Sequence, residues 1–165
     1  MDKYYYFIAQ LPALKLNKET FMTTDLFLEE ADKWLSVRDL SILKKIDIFN
    51  WLGNKKDPYV VKQYKSFEER LRTELARWRE EQKRGREYKT SLFPSMLLKE
   101  GNPLEKEEKL LQLRWDYISE LEENHNFDLD FLILYYLKLQ IQDHLAMFEP
   151  EKGIERFQKL CKVSV

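Results

Sequence analysis

Leu129-Asp130-Phe131-Leu132-Ile133-Leu134-Tyr135-Tyr136-Leu137-Lys138-Leu139-Gln140-Ile141 is interrupted by only three polar residues. Wound as a helix, it is apolar on most of its circumference, and such a helix must be covered on several sides. Its unbroken apolar run, Phe131 to Leu137, is far shorter than the roughly 18 residues of a membrane span. The cover is therefore protein. Asp128 sits where a helix cap belongs, so the spacing predicts a helix from about Asp128 to Phe148 at the centre of a C-terminal lobe.

Outward from this helix, the neighbours also read as helices. Pro150 opens a last one, with Ile154, Phe157, Leu160 and Cys161 on one side. On the other flank, Asn102-Pro103 is a cap residue followed by proline at the first helical position. Glu105, Glu107 and Glu108 favour the positive end of that helix dipole. Leu104, Leu110, Leu111, Arg114, Trp115, Ile118 and Leu121 then face inward. Asn124 to Asn126 is a turn.

Ser66 and Glu69 form a capping-box pattern, which predicts a long helix from about Phe67 to Lys83. Leu71, Leu75 and Trp78 make its narrow apolar stripe. Arg70, Arg72, Arg77, Arg79, Lys83, Arg84 and Arg86 crowd the remainder. Earlier still, Thr24 is the expected cap for a helix carrying Phe27, Leu28, Ala31, Trp34 and Leu35. Ser36 with Asp39 opens a further helix carrying Leu40, Leu43, Ile46 and Phe49, stopped at Gly53-Asn54. The aromatic opening, Tyr4 to Leu11, has strand-like composition but no partner strand nearby. It reads as a short buried helix or an extended arm ending before Pro12.

The expected fold is thus all-α, a bundle of about five to six helices in one or two small lobes. Residues 1–54 form an N-terminal helical segment. Residues 55–102 hold the basic long helix and linkers, and 103–165 a C-terminal three-helix lobe, the whole one compact unit. Four glycines and five prolines in 165 residues are too few for a turn-rich all-β chain.

The same scarcity of glycine argues against phosphate-cradling loops, and no Gly-x-Ser-x-Gly or His-Glu-x-x-His occurs. The one cysteine, Cys161, permits neither an internal disulfide nor a thiolate metal cluster. No cleavable signal is visible at the start, and the chain is expected in the cytoplasm. His125 lies in a turn, and Asp128 beside Asp130 is better explained as a cap than as a metal ligand. His144 beside Asp143 could form a proton relay, but a polar residue near a helix end explains it better. No catalytic residue, metal or cofactor is expected.

Charge is uneven. Residues 54–89 hold twelve Lys or Arg against seven Asp or Glu, whereas residues 100–165 hold eight against fourteen. A basic surface and an acidic one follow. Glu68, Glu69, Glu74, Glu80 and Glu81 interleave the basic helix and can pair locally. That favours an acidic protein surface over nucleic acid as partner. The candidate docking residues are Arg77, Trp78, Arg79, Arg84 and Arg86 on that helix, and Tyr4, Tyr5 and Tyr6 at the start. Core packing is the default use of the aromatics. Otherwise Trp34, Trp51 or Tyr59 join the tyrosines in a docking patch.

The opening Tyr4-Tyr5-Tyr6-Phe7-Ile8-Ala9-Gln10-Leu11-Pro12-Ala13-Leu14 resembles that of a bacterial family of uncharacterised proteins encoded beside V/A-type ATP synthase subunits. So do Pro103-Leu104-Glu105, Leu113-Arg114-Trp115, Glu120-Leu121-Glu122, Phe127-Asp128-Leu129-Asp130, Tyr135 to Gln140 and Glu151-Lys152-Gly153. The likeness covers the first dozen residues and about 103–160. The family resembles a divergent C subunit (d in eukaryotes), which couples the central stalk to the membrane ring. The resemblance implies a non-catalytic structural or assembly subunit with stalk or ring components as partners. It also implies peripheral attachment at the inner face of the membrane through the complex. The alternative is a free-standing helical adapter that binds an acidic protein or nucleic acid through residues 67–89.

Overall fold

The computed structural model describes residues 2–163. In them lie α1 (Asp2–Gln10), α2 (Thr24–Trp34), α3 (Val37–Lys44), α4 (Tyr59–Lys83), α5 (Pro103–Glu122), α6 (Leu129–Ala146) and α7 (Pro150–Val163). A 3-10 turn occupies Ser95–Leu98, and no strand occurs among the described residues. The fold is the all-α helical bundle that the periodicity predicts.

α6 is the shared neighbour: α2, α3, α4 and α5 all pack on it. Leu132 to Leu139 and Ile141 are all buried. Each fully buried Leu or Ile there contributes roughly 1.5–3 kcal/mol. Asp128 caps the helix as expected, its Oδ1 accepting the Phe131 N–H at 2.8 Å.

The aromatic opening is helical, not extended. Phe7 on α1 lies 5.5 Å from Phe27 on α2, and Phe27 lies 5.5 Å from both Tyr135 and Tyr136 on α6. Those rings, centre to centre in the favourable 4.5–7 Å range, join three helices. α2 begins one residue earlier than expected: Thr23, not Thr24, accepts the Leu26 N–H. The Thr24 hydroxyl instead donates to Asp143 Oδ2 at 2.6 Å, tying α2 to α6.

Ser36 caps α3 by accepting the Asp39 N–H. That helix stops at Lys44, short of the expected Phe49. Non-local hydrogen bonds hold the chain that follows. Gln140 accepts the Ile48 N–H and donates to the Ile46 carbonyl, and the Tyr64 hydroxyl donates to the Ile48 carbonyl. Arg72 donates to the Phe49 carbonyl at 2.9 Å.

α4 starts at Tyr59, seven residues before the Ser66–Glu69 pattern. Val60, Val61 and Tyr64 are buried and extend the apolar stripe of Phe67, Leu71 and Leu75 backward by two turns. Burial of three large side chains outweighs a cap motif of about 1 kcal/mol. At the far end Gly85 takes φ +70°, a left-handed conformation that glycine adopts without strain. Its N–H bonds to the Gln82 carbonyl, and that of Arg86 to the Glu81 carbonyl, a Schellman closure. α5 carries a complete capping box between Asn102 and Glu105.

One charged pair lies inside and a second is part-buried. Arg114 on α5 donates from Nε to Glu68 Oε2 at 2.8 Å and from Nη2 to Oε1 at 2.9 Å. Glu68 on α4 is fully buried and also accepts from Arg72 Nε at 3.0 Å. Burial alone would depress the Arg114 guanidinium, but the hydrogen bonds and charge of Glu68 raise its pKa above the ordinary value. Lys138 on α6 pairs with Glu122 and sits 5.2 Å over the Trp115 ring.

Candidate protein-binding surfaces

The acids interleaved along α4 do not all reach its outer face. Glu68 turns inward to Arg114. Glu74 turns to the connection after the helix, where its carboxylate accepts the Ser91 and Leu92 N–H groups at 3.1 Å and the Ser91 hydroxyl. Partial burial alone would raise the Glu74 pKa. These hydrogen bonds hold it below the ordinary carboxylate value. Glu80 meets Arg84 at 2.8 Å, and Glu81 meets Arg86 at 3.5 Å. Arg84 and Arg86 are therefore locally paired at the surface, where such pairs are worth about 0–1 kcal/mol.

Arg77 and Arg79 are exposed and make no ion pair with a described residue. The face is thus more basic than its sequence tally, because two of five acids are withdrawn from it. Trp78 does not belong to it: only 9% exposed, it packs in the core, as the stripe with Leu71 and Leu75 requires.

Beside this face lies a cleft of about 550 Å³ between α4 and the 49–54 loop. Trp51, Glu69, Arg72, Leu75, Ala76 and Arg79 are among the residues that line it. Trp51 remains 40% exposed and its neighbour Leu52 66%. The sequence offers Trp51 only as one aromatic among several. Its position depends on the tethers from Tyr64, Gln140 and Arg72, which no local pattern announces.

The three tyrosines divide. Tyr4 is structural: its hydroxyl donates to Asp39 Oδ2 at 2.6 Å, linking α1 to α3. Burial, then the hydrogen bond and charge of Asp39, push its pKa up to about 12. Tyr5 and Tyr6 are exposed. Tyr5 lies 4.7 Å from Phe127 and Tyr6 6.5 Å from Trp34, so these rings form one aromatic surface near the α5–α6 turn. Tyr59 is also exposed, at the start of α4.

The histidines occupy different settings. His125 Nδ1 lies 2.9 Å from Asp128 and 3.8 Å from Asp130. One ligand atom from each of the three falls within 4.8 Å of the others, a spacing that could hold a cation. Partial burial raises the Asp130 pKa. His144 lies edge-on to Phe49 and Phe148, at 5.0 and 5.2 Å. With Asp47 and Asp143 it lines an open hollow of about 300 Å³. A larger hollow, about 860 Å³, lies between the 16–23 loop, α5 and α6, with Met22, Glu108, Asp143 and Phe148 in its walls.

Among the described residues no helix is long and apolar enough to cross a membrane. No curated protein and no solved structure matches the chain significantly. A family profile, described as "Protein of unknown function (DUF2764)", matches residues 81–164. The matched region begins at the end of α4 and takes in α5 and α6. It spans about half of the chain, and the protein accordingly belongs to the DUF2764 family.

Proposed function

We propose that this chain is a non-catalytic structural or assembly subunit associated with a V/A-type ATPase, resembling the C (d) subunit between central stalk and membrane ring. The ATPase assignment rests on the sequence resemblance at the opening and over 103–160. The docking role rests on one structural observation: Arg77 and Arg79 project from a long helix on which four of the five acids, all but Glu69, are buried, engaged elsewhere or paired. A stiff helix with unneutralised arginines suits an acidic protein surface, and the charge steers and orients the encounter. The interior supports the same reading. α4 and α5 are joined by the buried Glu68–Arg114 pair and both pack on α6, so the arginines stand on a frame of fixed geometry.

The test is recovery of the tagged chain at native expression level. ATPase stalk or ring subunits should accompany it in fixed stoichiometry, and Arg77→Glu/Arg79→Glu should release them. Recovery of the intact, folded chain without any ATPase subunit refutes the assignment. A second reading is favoured by the withdrawal of Glu68 and Glu74 from the basic face: a free-standing adapter that binds an acidic protein or nucleic acid through residues 67–89.

A further inference from the structure

Resting on the reading of α4 as a docking face, we infer that the cleft between Trp51 and α4 seats an acidic amphipathic helix of a partner protein. Trp51 contacts its apolar side, and Arg79 and Lys83 meet its carboxylates. Three features carry this. First, the cleft joins an apolar anchor to a basic ridge. Trp51 lines the cleft together with Leu75 and Ala76, and Arg79 follows from the same helix. Tryptophan and arginine are both among the residue types enriched at binding hot spots.

Second, the charge is one-sided. Arg72 is committed to Glu68 and the Phe49 carbonyl, but it keeps its positive charge at the cleft wall. Arg79 forms no ion pair with a described residue, and Lys83, four residues on, is exposed on the same side. Glu69 is the only acid in the lining. Third, the cleft is small. At about 550 Å³ it admits side chains and not a whole helix. A partner helix lies across it and inserts apolar residues, the groove mode of peptide recognition.

Fluorescence anisotropy on the full chain tests this with three probes. They are a fluorescein-labelled helical peptide of Leu and Glu at amphipathic spacing, its Leu/Lys counterpart, and a labelled oligothymidine. The Leu/Glu peptide should bind, more weakly as salt rises. Trp51→Ala and Arg79→Glu should each weaken it about tenfold or more. Ala76→Glu, at an exposed helical position, should do the same without touching either anchor. Lys18→Glu, with the charge change of Arg79→Glu but outside the cleft, should leave it unaltered.

Equal binding of all three probes, binding of oligothymidine alone, or retention of the Leu/Glu peptide by folded Ala76→Glu overturns the inference. The two proposals fail separately. If Ala76→Glu still recovers the ATPase subunits that wild type recovers, the cleft is refuted and the functional reading stands. If wild type binds the peptide through the cleft yet recovers no ATPase subunit, the functional reading is refuted and the cleft stands.

Discussion

Removing Arg114 should destabilise the bundle far more than removing any arginine on its surface. Glu68 is 0% exposed and the Arg114 side chain 6%. Arg114→Met leaves a buried carboxylate whose remaining cation, Arg72, holds it through a single nitrogen at 3.0 Å. Breaking a buried pair in this way costs about 3–5 kcal/mol, and the residual Arg72 contact places the loss near 3. At about 2–4 °C per kcal/mol for a chain of this size, the melting temperature should fall by about 6–12 °C. Glu68→Met strands a buried guanidinium that already has one nitrogen, Nη1, without a hydrogen-bond partner, so its loss should lie toward about 5 kcal/mol. The double variant Glu68→Met/Arg114→Met removes both charges and refills the volume. It should return to within about 1 kcal/mol of wild type or exceed it. Urea unfolding of the four proteins, followed by circular dichroism, closes the cycle. Single variants within about 0.5 kcal/mol of wild type, or a double variant less stable than both singles, would show that the pair is not the coupled buried unit described.

Three further outcomes follow from particular contacts. Asn102→Ala removes one half of the α5 capping box and should cost about 1 kcal/mol in the same unfolding assay, whereas Lys106→Ala nearby should stay within about 0.5. Glu74→Gln should destabilise at neutral pH. Because the folded carboxyl titrates below its ordinary value of 4.5, its contribution is present above that pH and is lost as pH falls through the lower folded value. The gap between Glu74→Gln and wild type should therefore narrow on acidification from about pH 4.5, and a gap that is constant or widens contradicts the assignment. Arg77→Glu/Arg79→Glu should unfold within about 1 kcal/mol of wild type, because both side chains are solvated. A larger loss would mark them as structural and remove them from the docking face.

Legibility in the sequence tracked how local the deciding interaction is. The central helix shows itself because an all-round apolar segment has few alternatives. Ser36, Asn102 and Asp128 show themselves because a cap bonds to a residue three positions away. The true start of α4 was hidden behind Ser66 and Glu69, a local pattern overridden by the burial of Val60, Val61 and Tyr64. The irregular path from Ile46 to Trp51 was illegible because its hydrogen-bond partners, Tyr64, Arg72 and Gln140, lie 16 to 94 residues away. The basic face was half legible. A charge tally counts every glutamate as solvated, so Glu68 and Glu74 masked the imbalance they leave at the surface. Trp78 carried two conflicting signals, and its spacing from Leu71 and Leu75 was the better guide.

Zero-length carbodiimide cross-linking of the native assembly, read by mass spectrometry, tests the docking claim most directly. The account predicts bonds from Lys83 to carboxylates of an ATPase stalk or ring subunit, lost when Arg77 and Arg79 are reversed in charge. Cross-links to such subunits that run only from the amines of other helices, with Lys83 modified but unlinked, would contradict it.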